Sequence, residues 1–175
     1  MSEAKHNPCG ALGHETLARL LAGPDPIVQN LRDPQAQLQP NGIDLTLEAA
    51  YRLAGAGAVG GPSPGRRLPD RVLVEPTAHG WYYLASGPYV VTLHEWLHLP
   101  TNVMALGRPR STLLRCGAQL HTAVIDAGYS GRPEALLVVA NPAGLDLAVG
   151  VAICQVVFFT LTEHVEGYRG AYQGI

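Results

Sequence analysis

Apolar residues along this chain come in short runs broken by Gly, Pro and Asn: IDLTL (43–47), RVLVEP (71–76), WYYLA (81–85), YVVTL (89–93), VMALG (103–107), AQLHTAVI (118–125), ALLVVA (135–140), LDLAV (145–149) and AICQVVFFTL (152–161). Brief runs rich in β-branched and aromatic residues, closely spaced and bounded by turn formers, predict a mainly β fold, an antiparallel barrel or sandwich. One stretch follows a different period. ETLARLL, Glu15 to Leu21, sets Leu17, Leu20 and Leu21 on one helical face, and Pro24 and Pro26 end it, so a short N-terminal helix is expected. With 175 residues and no internal repeat, the chain fits a single domain able to bury a core of its own.

Two segments imitate known chemical patterns and lack the element each needs. HEWLH, His94 to His98, matches the H-E-x-x-H of zinc peptidases, whose two imidazoles share a metal only on a helix. Here SGPYVVTL precedes it and Pro100 follows, so the backbone is held extended. Along a strand, Val90, Thr92 and His94 face one way and Val91, Leu93 and Glu95 the other. The expected structure is a strand leading into a solvated polar turn. GAGAVGGPSPG, Gly55 to Gly65, contains a G-x-G-x-x-G match, but Pro62 and Pro64 forbid the helix that a dinucleotide site must open, and a surface loop is expected.

Charge and cysteine content narrow the partners. A net charge of −2 with no basic stripe gives no footprint for a nucleic-acid backbone, though a few placed Arg still suit a phosphorylated small molecule. Only 15% of residues are charged against 47% hydrophobic, a balance that surface hidden by oligomerisation and richness in Ala explain equally well. Cys9, Cys116 and Cys154 are odd in number and far apart, which fits a reducing compartment. No apolar run approaches a membrane span, and MSEAKHNPCG lacks the pattern of a signal peptide; a cytoplasmic protein is expected.

The densest chemistry lies between Gly107 and Gly131, GRPRSTLLRCGAQLHTAVIDAGYSG. Arg108, Arg110, Ser111 and Arg115 crowd within eight positions, and guanidinium forks with a hydroxyl suit phosphate oxygens. Some ten residues later, AVIDAGYSG presents Asp126 after an apolar strand, with Gly128 and Tyr129 beside it. Surface Arg and an Asx-turn would explain each stretch alone. Together they offer a general base and an anion clamp, a pairing suited to hydrolysis of a phosphoanhydride by activated water.

PRSTLLRCG (109–117) and AVIDAGYSG (123–131) resemble the second and third motifs of the trimeric dUTP diphosphatases and the related dCTP deaminases. QPNGIDLTL (39–47) resembles the first motif in its deaminase-side version, GVAICQVVF (150–158) the fourth, and GYRGAYQG (167–174) the C-terminal arm. The matches keep the family's order from about Gln37 to the end. The resemblance implies a dUTPase-like β-clip barrel or jelly-roll as one domain over 1–175, with an N-terminal helical segment (1–36) and an arm (160–175). It also implies a homotrimer. Deaminases of the family carry a Glu in a pattern like G-x-I-x-L-E to move protons at the pyrimidine C4. Here GRPEALLVVAN (131–141) puts Leu136 at that place without a gap, or Val138 when aligned on Asn141, while Glu134 stands at the wrong count and is expected at an exposed strand entry.

By resemblance, then, the activity is conversion of dUTP to dUMP and pyrophosphate; the alternatives are a dCTP deaminase or bifunctional enzyme, or a non-catalytic nucleotide-binding regulator on the same fold. Asp126 would hold the water that attacks the α-phosphorus, Ser111 and Arg110 would bind phosphates, and Gln155 would support them. Tyr129 would pack on the deoxyribose. His121, Thr122 and Ala123 begin the hairpin whose backbone would read uracil. Arg115 matches the deaminase pattern and is assigned to the substrate. In the arm, Arg169 would meet the terminal phosphate and Tyr172 the base, with Gln173 beside them. Mg²⁺ would arrive on the triphosphate, with no metal ligand supplied by the chain. Ala152 replaces a basic residue often found in the fourth motif, and RGAYQG is closer to the deaminases' arm than to a glycine-rich tail.

Overall fold

A computed structural model describes residues 10–60 and 65–175. The N-terminal stretch that carries Cys9 and the centre of GAGAVGGPSPG, positions 61–64, lie outside the described residues. α1 spans His14–Ala22 with Leu17 buried, one residue wider at each end than the leucine spacing predicts. Two short helices follow, α2 at Pro34–Gln37, capped by Asp33, and α3 at Ser111–Arg115.

The remaining elements are strands, and every ladder between them is antiparallel. The main sheet orders Ala118–His121, Glu134–Val139, Gly87–Leu93, Gly42–Ala54, Ala152–Thr160, Val103–Pro109 and Val124–Ile125. Each apolar run of the sequence therefore becomes a strand, with AQLHTAVI divided in two at Thr122 and Ala123. Alternation decides the core. Val91 and Leu93, Leu120, Ala135 with Leu137 and Val139, and Ile43 with Leu45 and Leu47 all turn to one side and are buried. On Ala152–Thr160 a register shift between Ala152 and Cys154 lets Ile153 and Cys154 both go inward before alternation resumes at Val156 and Phe158. That shift sets Gln155 on the outer face.

The Gly42–Ala54 strand is covered on both faces, and the six residues from Gly42 to Leu47 are all buried. Gly42 lies against the Val156 carbonyl, and a β-carbon there would collide with that oxygen. The outer face of the strand, with Asp44 and Thr46, is closed by the chain around α2 and by Glu95. HEWLH is not helical: the strand stops at Leu93, the chain bends through His94 and Glu95, and Trp96–His98 starts a new strand between Val28–Gln29 and Ser130–Gly131. The alternation predicted from Val90 to Glu95 is present, but the expected polar turn is not, because Glu95 is fully buried and fully hydrogen-bonded. Within the described part of the glycine-rich stretch, which is exposed over 55–60, Ala58–Val59 pairs antiparallel with Arg66–Arg67. Among the described residues no helix is long and apolar enough to cross a membrane.

Phe158 is wholly buried where the central strands meet. Phe158→Ala should cost about 3–5 kcal/mol of unfolding free energy, a transfer term plus a cavity term, readable from the shift of a urea midpoint at unchanged slope.

Candidate active site

The expected hairpin around Asp126 is instead a hairpin-like turn that links two sheets, because Val124–Ile125 pairs with Val103–Pro109 while Ser130–Gly131 pairs with Trp96–His98. Its shape follows local rules. Tyr129 N–H donates to the Asp126 carbonyl at 3.1 Å, and Gly128 sits at φ +79°, the positive angle that the third position of a type II turn requires. Thr122 ties the start of the hairpin to the neighbouring strand, its hydroxyl accepting from Gly107 N–H at 3.2 Å and donating to Gly107 O at 3.3 Å. The turn is held from outside by the HEWLH segment. Trp96 Nε1 donates to Ser130 Oγ at 3.1 Å, His98 Nδ1 lies 3.1 Å from the same hydroxyl, and Leu99 N–H donates to the Tyr129 carbonyl at 2.8 Å.

A cavity of about 280 Å³ opens along this hairpin. Its walls include Thr122, Ala123, Asp126 and Tyr129 from the hairpin, Glu134 at the strand entry, and Tyr168, Tyr172 and Ile175 from the arm. Asp126 is exposed, and no side-chain hydrogen bond engages its carboxylate among the described residues. Glu134 stands at an exposed strand entry as expected, with a second feature the count does not show: Arg71 grips its carboxylate bidentately at 2.5 and 2.8 Å, on the cavity wall. That contact raises the pKa of Arg71. Leu136 lies on the same strand face, paired across the ladder with His121.

The arm lies over the hairpin of its own chain. Tyr168 N–H donates to the Ala127 carbonyl at 2.8 Å, Gly174 N–H to the Ser130 carbonyl at 2.8 Å, and Arg132 N–H to the Ile175 carbonyl at 2.6 Å. Gln173 accepts from Ser130 N–H and donates to the Gly128 carbonyl, each at 3.1 Å. Tyr172 lines the cavity beneath the Arg66 guanidinium, 5.5 Å from the ring centre. Arg169 stays exposed beside Glu166 and does not line the cavity.

A second cluster forms at the far end of the Val103–Pro109 strand. Ladder register sets Asp44, Gln155 and Arg108 side by side across three strands. Arg110 follows at the start of α3, its backbone N–H donating to the Ile153 carbonyl at 3.0 Å, and its guanidinium pairs with the buried Asp44 carboxylate. Ser111 is exposed next to it, and Arg115 is exposed at the end of the same helix. The structure thus gathers Asp126, Tyr129, Thr122, Ala123 and Tyr172 at the cavity, and Arg110, Ser111 and Gln155 in the second cluster. Thr122 reaches Gly107 beside Arg108, but Asp126 and Arg110 stand apart. Arg110 lies five residues past Ala105, the partner of Ile125, a span of about 17 Å at ~3.3 Å per residue. Asp44 is the site residue that sequence reasoning does not single out; its signal is an acid in the middle of the apolar IDLTL run.

Tyr129 packs edge-on to Tyr168 with ring centres 5.7 Å apart. Burial first, then the neighbouring Tyr168 and Glu134, push its pKa from 10.0 up to about 12. The fold therefore favours the neutral phenol, and the stability this contributes is whole below pH 10.0 and is lost as pH rises toward about 12. Tyr129→Phe should flatten the fall in melting temperature across that window, as thermal melts at stepped alkaline pH would show.

Residues 11–161 match the family model described as dCTP deaminase-like. The chain is 45% identical over 163 residues to a probable deoxyuridine 5'-triphosphate nucleotidohydrolase of Methanosarcina mazei, covering 93% of this chain and 95% of that protein. It is 35% identical over 143 residues to the deoxyuridine 5'-triphosphate nucleotidohydrolase of Methanocaldococcus jannaschii, covering 80% and 89% respectively. A crystal structure of 2'-deoxycytidine 5'-triphosphate deaminase from Agrobacterium tumefaciens has the same fold, with a TM-score of 0.66 and 23% identity over 87% of this chain, which spans 48% of that longer one. A mainly β antiparallel fold, a family model that spans most of the chain and relatives matched nearly end to end agree: the chain belongs to the dCTP deaminase-like family.

Proposed function

We propose that this protein is a hydrolase of phosphoanhydrides that converts dUTP to dUMP and pyrophosphate. The observation that carries the reading is Asp126, a carboxylate without a side-chain partner, on the wall of a cavity lined by hairpin backbone and tyrosine rings. Relatives matched over 93% and 80% of this chain are named deoxyuridine 5'-triphosphate nucleotidohydrolases, the first of them a probable one.

The base enters along residues 121–129, where fixed backbone donors and acceptors match the O4 and N3 of uracil and leave cytosine with unpaired groups. Tyr129 packs against the deoxyribose and leaves no space for a 2′-hydroxyl. Asp126 orients a water and accepts its proton as the water oxygen attacks the α-phosphorus; the bond from that phosphorus to the α,β-bridging oxygen breaks, and pyrophosphate leaves. Arg110 and Ser111 hold the phosphates and stabilise charge on the leaving group, with Gln155 supporting them. Leu136 and Val138 cannot relay a proton, and the Glu134 carboxylate is clamped by Arg71, so deamination at C4 has no free acid on this strand.

Mg²⁺ enters as part of the substrate, on the triphosphate oxygens. Among the described residues no three His, Cys, Asp or Glu side chains assemble into a cage; the exposed Asp126 carboxylate would suit contact with an ion that keeps its waters, whereas Asp44 is buried against Arg110. Arg169 and Tyr172 belong to the lid.

The span between the Asp126 turn and the Arg110 cluster supports a site built by two chains. We assign the chain to a homotrimer in which the hairpin of one subunit faces the Arg110, Ser111 and Gln155 of a neighbour. Asp126→Asn should keep binding of a non-hydrolysable dUTP analogue, measured by calorimetry, while turnover drops by about 10³-fold or more; undiminished pyrophosphate release would reject the role. Asp126→Asn and Arg110→Ala chains, each strongly impaired but measurable alone, should regain about one quarter of native activity after mixed refolding, because that share of sites pairs an intact turn with an intact cluster. A refolded mixture no more active than its separate chains would reject the shared site.

A further inference from the structure

Glu95 takes no part in the chemistry above, yet it is connected to it. It is fully buried in a chain of which only 15% is charged. Its Oε1 accepts from Gln37 Nε2 and from Thr46 Oγ1, both at 2.7 Å, and its Oε2 accepts from Thr46 N–H at 2.8 Å. Gln37 Nε2 also donates to the Asp44 carbonyl at 2.8 Å. Arg32 Nε donates to the Thr46 hydroxyl at 3.1 Å, and Asp33 N–H to Gln37 Oε1 at 2.9 Å, which fixes the orientation of both intermediaries. Thr46 stands one side-chain period from Asp44 on the same strand face, and the Asp44 carboxylate pairs with Arg110.

A buried acid is a poor device for stability alone, since an apolar side chain of similar volume commonly serves as well or better. What three protein donors on one carboxylate do achieve is a fixed position. They pin Gln37 and the stretch from Asp44 to Thr46 in one arrangement, and both Glu95 oxygens are occupied by the protein, which leaves neither for a ligand. Arg110 is long and 38% exposed, and it needs a rigid counter-ion to hold one orientation. We infer that Glu95 is a positioning residue: through Thr46 and Gln37 it fixes Asp44, and through Asp44 it aims the Arg110 guanidinium. The inference rests on the proposed role of Arg110 at the phosphates.

A double-mutant cycle tests it. Glu95→Gln replaces one acceptor oxygen by a donor facing the Thr46 N–H, and should lower kcat for dUTP by about 10-fold or more while KM moves by less than about threefold. In an Arg110→Ala background the same change should cost under about twofold, because its route is already cut. Multiplying losses, or a native kcat for Glu95→Gln, would overturn the inference. Gln37→Met cuts the link to the Asp44 carbonyl with a side chain of similar shape, and should give the same non-additive loss if Glu95→Gln fails to fold; additivity there would also overturn it. The nitrogen-15 resonance of the Arg110 side chain, which needs no turnover, separates the two readings. If Arg110→Ala leaves hydrolysis intact, the proposed role of Arg110 falls; a resonance shifted by Glu95→Gln still supports positioning, and an unmoved one rejects it.

Discussion

The Gly42–Ala54 strand must bury both of its faces along Gly42 to Leu47, and the rest of the molecule is arranged around that demand. Ile43, Leu45 and Leu47 meet it simply, by joining the core between the Gly87–Leu93 and Ala152–Thr160 strands. Asp44 and Thr46 on the other face cannot. Polar groups removed from water need partners, at a cost of roughly 1–3 kcal/mol for each one left unpaired. Glu95 and Arg32 partner Thr46, Arg110 pairs with one Asp44 carboxylate oxygen and Gln37 bonds the Asp44 carbonyl, from three places in the chain, at 32–37, 95 and 110. A segment that would otherwise be a loop is thereby fixed across the strand, and the guanidinium proposed for phosphate binding is held at its end.

The HEWLH segment works on both sides of this arrangement. Glu95 closes the polar face of the central strand, while Trp96 and His98 bracket Ser130, and Leu99 bonds the Tyr129 carbonyl. The stretch from Glu95 to Leu99 thus touches the supports of both clusters. Hydrogen bonds between rigid backbone segments transmit position with little slack, which suits the proposed site shared across a boundary between chains. The exposed Val124 and Leu136 beside the hairpin are in keeping with such a boundary.

Conformational economy also explains the cavity. Tyr129 and Tyr168 present large rings with few rotatable bonds, and burial keeps the Tyr129 phenol neutral. Backbone groups of a turn locked by Gly128 are fixed before any ligand arrives, so the base reading proposed for them would lose little entropy. The arm uses the same economy: its backbone bonds to residues 127–132 lay Tyr172 and Ile175 on the cavity without burying a large apolar surface of its own.

By itself the sequence determined the strands, the single N-terminal helix, the antiparallel class, and the two stretches rich in reactive side chains. These are local matters: period-two alternation, turn residues, and the clustering of Arg, Ser, Asp and Tyr within a few positions. The family membership was legible too, because five ordered motifs lie within one chain. Only the tertiary structure decided that Glu95 is buried where a polar turn was expected, that Asp44 is the partner of Arg110, that Arg71 clamps Glu134, and that the arm rests on its own hairpin. Each of these depends on which strands become neighbours and in what register, and on what covers their outer faces. Alternation says which side a residue faces, but only packing says whether that side meets water.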